Sequence, residues 1–158
     1  MTNVYISSDL SYLDIYVSKY VHGNLQLSEN FLYINNGDLT FTESARQFGL
    51  ADSGFSIKDN FIDVNMDGHF DAFVVNQTTS DGKRQGQNTV IPRNERGLYT
   101  DKVYMNNGNN QFVERSDQAG LTSLAFGLSA TAGDINNDNY PDLYVSNDYE
   151  IPDFLYFN

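Results

Sequence analysis

The fold is decided by a stretch of nine residues, Asp134-Ile135-Asn136-Asn137-Asp138-Asn139-Tyr140-Pro141-Asp142, and by the apolar run Leu143-Tyr144-Val145 that follows it. Oxygen-bearing side chains occupy positions 1, 3, 5 and 9 of the stretch. The same pattern occurs 71 residues earlier, between Asp63 and Asp71, and an apolar run follows it again, Ala72-Phe73-Val74-Val75. Because so specific a spacing occurs twice, it indicates a duplicated site.

The chemistry of the two stretches is that of a metal loop. Alternate residues of a tight loop can direct several carboxylates toward one point, where a cation relieves their repulsion. All the side-chain donors are oxygens, which favours Ca²⁺. The predicted ligands are the side chains at positions 1, 3, 5 and 9 and the backbone carbonyl at position 7: Asp63, Asn65, Asp67, Asp71 and the carbonyl of His69 in one loop, and Asp134, Asn136, Asp138, Asp142 and the carbonyl of Tyr140 in the other.

The residues around the loops favour strands over helices. An EF-hand loop begins in the same way but needs an acidic residue at position 12, where this chain has Val74 and Val145. The flanking residues are rich in Val, Tyr and Phe, which suit a pleated, half-buried surface. Position 6 needs a residue that tolerates a positive φ, and Gly68 and Asn139 both do. The remaining alternative is a polar, Asx-rich turn without metal.

Composition limits the classes of partner. The chain has 158 residues, enough for one domain with a real core, and a net charge of −12. Such an acidic balance argues against nucleic acid and anionic membranes as partners. The absence of Cys rules out disulfides, zinc–thiolate sites and thiol catalysis. No apolar run is long enough for membrane insertion, and the first residues show no basic-then-apolar signal-peptide pattern.

The duplication extends well beyond the loops. With a shift of 71 residues, Tyr33 and the segment Asn35-Asn36-Gly37 match Tyr104 and Asn106-Asn107-Gly108, and Gly49-Leu50 matches Gly120-Leu121. Such a period is typical of a repeat architecture. One unit reads as four short strands, exemplified by residues 128–134, 142–147, 154–158 and 111–115. The Asn-Asn-Gly between the third and fourth strands is a hairpin signal.

Four antiparallel strands per unit predict an all-β fold made of β-propeller blades. The units cover approximately residues 1–50, 51–121 and 122–158, with about eleven strands in three blades, the last one incomplete. Unpaired sheet edges recruit other strands, so we expect self-association or pairing with the remainder of a longer propeller. In the first unit the ligand positions hold Ile6, Ser8 and Leu10, and no metal site of the same kind is predicted there.

The second unit carries an insert, residues 78–100. The distance from the position-9 Asp to the Tyr of the third strand is 33 residues there, against 19 and 14 in the other units. The insert holds Lys83, Arg84, Arg93 and Arg96, four of the nine basic residues of the chain. Since the metal loop follows the first strand and the insert follows the second, we expect them at opposite ends of an antiparallel blade.

These residues resemble a known family. Phe126-Gly127 and the segment from Gly133 to Leu143 resemble the core of FG-GAP or VCBS-type repeats, which occur in integrin α-subunit propellers. The segments Val145-Ser146-Asn147-Asp148 and Leu155-Tyr156-Phe157-Asn158 are similar to the sequence that follows this core in the cartilage-acidic-protein-like (ASPIC/UnbV) group. The resemblance implies a propeller of about seven blades, structural Ca²⁺ in the loops, and a secreted or cell-surface parent protein.

Three functions remain open on this sequence. The first is a calcium-stabilised extracellular binding or adhesion module that recognises a protein or a glycan, an anionic one if the basic insert takes part. The second is the propeller domain of an enzyme that degrades polysaccharides or phosphoesters. For this we find no catalytic constellation, since His22 and His69 are the only imidazoles and no nucleophile elbow, zinc-binding His pair or phosphate-binding glycine loop is present. The third is a purely structural, self-assembling repeat.

Overall fold

The fold is all-β, with one short helix and one 3₁₀ turn among the described residues. The structure, a computed structural model, describes residues 12–21, 29–78, 96–148 and 151–158 and the backbone of residues 2–6. The elements in chain order are β1 (Thr2–Ile6), β2 (Asp14–Ser18), β3 (Phe31–Asn35), β4 (Phe41–Glu43), α1 (Ala45–Phe48), β5 (Ser56–Ile62), β6 (Asp71–Asn76), a 3₁₀ turn (Arg96–Leu98), β7 (Lys102–Asn106), β8 (Phe112–Glu114), β9 (Gly127–Gly133), β10 (Asp142–Asn147) and β11 (Phe154–Tyr156).

The strands form three antiparallel sheets in the order predicted from the repeat. The first sheet is β1-β2-β3-β4, the second is β5-β6-β7-β8, and the third is β9-β10-β11. In each sheet consecutive strands are neighbours, so every unit is an up-and-down meander. β5 packs against both β1 and β9, so the first strands of the three sheets adjoin.

The predicted hairpins at Asn-Asn-Gly are confirmed. One joins β3 to β4 and the other joins β7 to β8. Their glycines, Gly37 and Gly108, have φ angles of 81° and 78°, a region that L-residues other than Asn and Asp rarely adopt.

Two hydrophobic clusters form the core, and β6 separates them. All six residues of β6 are buried. Because successive side chains of a strand point to opposite faces, Ala72 and Val74 join one cluster, and Phe73 and Val75 join the other. The first cluster also contains Tyr16, Leu32, Ala45, Leu50, Tyr104 and Phe112, and the second contains Val103, Leu121, Ala130, Leu143 and Val145.

The predicted metal loop and the insert leave the second sheet at opposite ends, as the meander requires. Residues 63–70 connect β5 to β6, and the insert begins at the other end of β6, where the backbone N–H of Thr78 donates to the carbonyl of Ala125. The insert residues Lys83, Arg84 and Arg93 lie outside the described part of the chain. The described part of the insert contains the 3₁₀ turn and Tyr99, whose ring stacks on Phe55 at a centroid distance of 5.0 Å.

Some observed features differ from those predicted from the sequence, and some predicted features fall outside the described residues. The helix α1 was not predicted, and β11 ends at Tyr156 rather than at Asn158. Ser8, Leu10 and His22 fall outside the described residues, so the predicted absence of a metal site in the first unit stays a prediction. In the described ranges, no helix is both long enough and apolar enough to cross a membrane.

Candidate metal-binding loops

Each predicted loop joins the first strand of a unit to the second. Residues 63–70 link β5 to β6, and residues 134–141 link β9 to β10. At position 6, Gly68 has a φ of 90° and Asn139 a φ of 72°, as the sequence predicted. Position 4 is also left-handed, with φ angles of 60° at Met66 and 61° at Asn137. This second left-handed position was not predicted from the sequence.

The position-1 carboxylate caps the backbone of its own loop. In the first loop, Asp63 accepts from the backbone N–H groups of Asp67 at 3.0 Å and Gly68 at 2.9 Å. In the second loop, Asp134 accepts from the corresponding N–H groups of Asp138 and Asn139, at 3.1 and 3.0 Å. The two loops therefore share one backbone conformation despite their different residues at positions 4 and 6.

Positions 3, 5 and 7 are tied together in the same way in both loops. The Oδ1 atom of Asn65 accepts from the backbone N–H of Asp67 at 3.1 Å, and its Nδ2 donates to Oδ2 of Asp67 at 2.8 Å. Asp67 Oδ1 in turn accepts from the backbone N–H of His69 at 2.9 Å. The second loop repeats all three bonds through Asn136, Asp138 and Tyr140.

The position-9 aspartate links the loop to the third strand. Asp71 is buried and accepts from the backbone N–H of Val64 at 3.1 Å and from that of Asn106 at 2.8 Å. Asp142 is equally buried and accepts from Ile135 and Asn158 at 2.8 and 3.0 Å. This structural role was not predicted from the sequence, although Asp14 was a signal for it, since Asp14 occupies position 9 of the unit that lacks the ligand pattern.

The charges in the first loop act on one another. Hydrogen bonds from the His69 N–H and the Asn65 amide lower the pKa of Asp67, which keeps this carboxylate ionised. Burial raises the pKa of Asp71, and the negative charges of Asp67 and Asp63 raise it further, against the hydrogen bonds from Asn106 and Val64. A cation in the loop would relieve this repulsion.

The two loops contain the oxygen ligands that Ca²⁺ prefers. Their acidic side chains accept hydrogen bonds from backbone N–H groups. In the part of the chain that the structure describes, no three or more His, Cys, Asp or Glu side chains form a group that could hold a metal ion. The predicted ligand set also draws on the amide oxygens of Asn65 and Asn136 and on two backbone carbonyls. Each carboxylate oxygen that accepts one N–H retains a lone pair, and residues 65–70 and 134–140 are exposed. The exposed part of each loop therefore offers oxygen donors of the kind that a hard cation prefers, whereas Asp71 and Asp142 are buried and both oxygens of each already accept backbone N–H groups.

The side chain of His69 packs against the neighbouring hairpin. A Cβ added at Gly108 would lie 2.8 Å from Nε2 of His69. The amide Nδ2 of Asn106 donates to the carbonyl of Phe70 at 3.2 Å. The first predicted metal loop and the β7–β8 hairpin thus form one continuous surface at this end of the sheet.

One family model matches a segment of the chain that includes both loops. A sequence model of the FG-GAP-like repeat matches residues 63–145, which is 83 of the 158 residues. The match runs from the first residue of the first loop into β10, beyond the second loop. A search of curated proteins found no match. Repeats of this type are typically extracellular. Because the match covers more than half of the chain and includes both loops, this protein belongs to the FG-GAP-like repeat family.

Proposed function

We propose that this protein is a calcium-stabilised extracellular binding module made of propeller-type units. The observation that carries the proposal is the identity of the two loops, which share the same hydrogen bonds at positions 1, 3, 5, 7 and 9. Two loops of different sequence retain the same oxygen-bearing residues at the same positions. Because an Asn oxygen can accept a backbone N–H bond without adding charge, the three aspartates retained in each loop support a role in cation binding beyond the shape of the turn.

In this proposal one Ca²⁺ would be held by Asp63, Asn65, Asp67, Asp71 and the carbonyl of His69, and another by Asp134, Asn136, Asp138, Asp142 and the carbonyl of Tyr140. Each ion would supply a double positive charge among three carboxylates. The position-9 aspartate already connects the loop to the third strand of its unit. A bound ion would therefore stabilise the first three strands of each unit together.

Calorimetric titration tests the metal sites directly. We expect two Ca²⁺ per chain for the unmodified protein and one for either Asp67→Ala or Asp138→Ala, since each variant removes a carboxylate from one loop. Asp117→Ala is the matched control, because Asp117 is exposed and lies in a turn outside both loops. A stoichiometry that stays the same in both loop variants would contradict the proposal.

The recognition surface proposed here lies at the end of the second sheet opposite the first metal loop. This end carries the insert, whose described part presents an exposed Arg96. Long loops on a rigid scaffold commonly carry binding function, and a basic loop on an acidic protein suits an anionic partner. An acidic glycan or a carboxylate-rich protein surface has this chemistry.

Glycan and protein arrays test the recognition surface. We expect saturable binding to anionic ligands, weakened at least tenfold in the double variant Arg93→Ala/Arg96→Ala. Arg46→Ala serves as the matched control, because Arg46 is an exposed arginine paired with Glu29 on another unit. Binding that is unaffected by the double variant would exclude the insert. Turnover of a bound polysaccharide or phosphoester would instead favour the enzymatic function.

A self-assembling repeat is the second candidate function. Sedimentation in the presence of Ca²⁺ distinguishes the two functions. Concentration-dependent oligomers without array binding would favour assembly.

A further inference from the structure

Three polar side chains meet inside the second unit, at the end of β6 opposite the predicted metal loop. Lys102 is the first residue of β7, Asn76 is the last of β6, and Asp52 lies between α1 and β5. All three are buried, with exposed fractions of 8%, 1% and 3%. Lys102 Nζ donates to Asp52 Oδ1, and Asn76 Nδ2 lies 3.4 Å from Asp52 Oδ2. We call these residues the buried triad.

The strand register places the lysine and the asparagine on the same face of the sheet. Lys102 pairs with Val74, and Asn76 follows Val74 by two residues, so both side chains point to the same side. Such diagonal neighbours lie about 7–8 Å apart, a span that a long side chain can cross. The carboxylate of Asp52 thus contacts an amine and a carboxamide that can reach each other.

The lysine is specific to the second unit. The residues that pair with the equivalent valine in the first and third units are Phe31 and Phe154. A cationic side chain therefore stands at a buried position where the other two units have an aromatic ring. The repeat can form without the lysine, so its presence calls for another explanation.

The asparagine recurs in the third unit without the other two members of the triad. Asn147 makes the same two bonds as Asn76, from its N–H to an aspartate and from its Nδ2 to a backbone carbonyl. Ser123 and Phe154 stand where the second unit has its aspartate and lysine. The asparagine alone is thus part of the repeat, and the aspartate and the lysine are additions to it.

The carboxamide of Asn76 is held in place by its neighbours. A Cβ added at Gly54 would lie 2.6 Å from Asn76 Nδ2 and 2.9 Å from Cγ, so the amide packs directly on this glycine. Nδ2 also donates to the carbonyl of Thr100 at 2.9 Å. The backbone N–H of Gly54 donates to Asp52 at 2.9 Å. The carbonyl carbon and the carboxylate therefore have fixed positions in a buried site.

The site suits an amide better than an ammonium group. An ammonium has three hydrogen-bond donors, and within the described residues Asp52 is the one hydrogen-bond partner of Lys102 Nζ. Oδ1 of Asn76 is also buried without a partner there. Two charges in such a site are costly to desolvate. A bond between the lysine and the asparagine would remove both charges and leave one N–H in place of three.

We propose that Lys102 and Asn76 form an intramolecular isopeptide bond, with Asp52 as the proton carrier. Asp52 first takes a proton from the Lys102 ammonium, which leaves a neutral amine. Nζ then attacks Cγ of Asn76, and the carboxylic acid donates to the oxygen that gains negative charge. As the carbonyl re-forms, the Cγ–Nδ2 bond breaks, and a second proton from Nζ passes to the leaving nitrogen.

The reaction balances without a co-reactant. Of the three ammonium protons of Lys102, one stays on the new amide, one ends on Asp52, and one leaves with Nδ2 as ammonia. The site is neutral before and after the reaction, and the ion pair of Lys102 and Asp52 is the reactant. The burial that makes an ion pair costly therefore favours the product, in which the protonated carboxyl group can donate to the new amide.

The bond would close the base of the insert. Asn76 and Lys102 flank residues 77–101, which include the insert and its exposed Arg96. A protease that cuts the chain within this segment would then leave β6 and β7 covalently joined. The proposal thus gives the second unit a covalent link across the loop that is the most open to cleavage after basic residues.

Mass spectrometry of the intact chain tests the proposal. We expect a mass lower than that of the sequence by one molecule of ammonia. Digestion with trypsin under denaturing conditions should give a branched peptide that joins residues 59–83 to residues 97–115, because trypsin does not cleave after a modified lysine. Asn147 should be unmodified and serves as the internal control.

Two variants and a matched control assign the roles. Lys102→Arg keeps the positive charge but has no primary amine, and Asp52→Asn removes the proton carrier. Both should have the full mass of their sequences. Lys58→Arg changes a partly buried lysine of β5 outside the triad and should still lose ammonia. A chain kept in urea should retain its full mass and lose ammonia only after refolding.

The mass of the unmodified chain decides the outcome even if a variant fails to fold. A folded chain with the full mass of its sequence would overturn the proposal. Loss of ammonia that persists in Lys102→Arg would also overturn it, since cyclisation at an Asn-Gly pair such as Asn107–Gly108 gives the same change in mass. Loss of water, with a branch between Lys102 and Asp52, would contradict the roles assigned to Asn76 and Asp52.

Discussion

At the scale of single residues, a buried ion pair fixes the second sheet to the segment that follows α1. Lys102 Nζ contacts Asp52 Oδ1, and the two side chains are 10% and 0% exposed. Asp52 also accepts from the backbone N–H of Gly54 at 2.9 Å. Removal of one partner of a buried pair leaves the other charge without compensation, which typically costs about 3–5 kcal/mol.

We therefore expect Lys102→Met to lower the free energy of unfolding by about 3–5 kcal/mol, measured by urea denaturation. Arg46→Met is the matched control, since Arg46 forms an ion pair with Glu29 in which the arginine side chain is 76% exposed. Exposed pairs contribute less than about 1 kcal/mol. Equal losses in the two variants would show that the Lys102 pair has no special role.

Position 4 of the loops offers a reciprocal test of backbone strain. Met66 has a φ of 60°, whereas the counterpart residue in the second loop is Asn137, a type that tolerates this conformation. A left-handed conformation costs an ordinary L-residue about 1–2 kcal/mol. We expect Met66→Asn to stabilise the protein by about 1 kcal/mol and Asn137→Met to destabilise it by a similar amount. Denaturation with chelator present measures both without a contribution from metal, and shifts of the same sign would contradict the interpretation.

Two buried aspartates predict a dependence of stability on pH. Burial raises the pKa of Asp101 to about 7, although the backbone N–H of Asn76 donates to it, and burial raises the pKa of Asp59 to about 6. An aspartate in the unfolded chain has a pKa of about 3.9. The folded state therefore binds these protons more tightly, so this contribution to stability is complete below about pH 4 and is lost as the pH rises through 6 and 7.

The variant Asp101→Asn isolates one of these groups, because an Asn keeps the oxygen that accepts from Asn76 N–H at 3.0 Å. The free energy of unfolding of the unmodified protein should fall as the pH rises from 4 to 8. In Asp101→Asn we expect this fall to be smaller by about 1–3 kcal/mol. Asp117→Asn, at an exposed position, controls for the change in net charge. Parallel pH profiles for Asp101→Asn and the unmodified protein would refute the assignment.

At the scale of elements, hydrogen bonds between an Asn and an Asp link the end of the third strand of each unit to the start of its second strand. The backbone N–H of Asn35, Asn106 and Asn158 donates to the position-9 carboxylate of its own unit, Asp14, Asp71 and Asp142, at 2.8 to 3.0 Å. The side-chain amide of each Asn donates to the carbonyl of the residue before that Asp. This connection occurs in all three units, including the one without the ligand pattern.

Asn106→Ala tests the connection without a change in any predicted metal ligand. It removes the bond to the Phe70 carbonyl and the one from the N–H of Gly108, while the backbone bond to Asp71 stays. We expect a loss of about 1–2 kcal/mol in urea denaturation. Asn109→Ala, in the same hairpin, should change stability by less than about 0.5 kcal/mol. A similar small effect at Asn106 would mean that the side chain is dispensable.

The sequence predicted the strands and hairpins because their signals are local and repeated. Residues 142–147 form β10 as expected, and both Asn-Asn-Gly segments form hairpins. It did not predict α1, since a helix of four residues is too short to show a helical period. It also assigned Asp71 and Asp142 only to metal, because the partner N–H of each lies 16 or more residues away in the chain, at Asn106 in β7 or at Asn158 just beyond β11.

At the scale of the whole molecule, β6 joins neighbouring units into one core. Its alternate side chains enter both hydrophobic clusters, and its first residue, Asp71, is a predicted metal ligand. A cation at the first loop would therefore stabilise the strand that both clusters share. We expect metal binding to raise the stability of the protein as a whole rather than that of one loop.

Thermal unfolding with excess chelator, with Ca²⁺ and with Mg²⁺ tests this central claim most directly. Calcium sites of extracellular modules typically have dissociation constants of roughly 10⁻⁴ to 10⁻³ M, and a site filled at 100 times that value adds about 2.7 kcal/mol. Two such sites should raise the midpoint by about 10 °C or more, since about 1 kcal/mol corresponds to about 2–4 °C at this size. Mg²⁺ should have a smaller effect, because it demands a smaller, octahedral shell and dehydrates reluctantly. A midpoint that is the same with excess chelator and with Ca²⁺ at about 10–100 mM would show that the two loops are polar turns without metal.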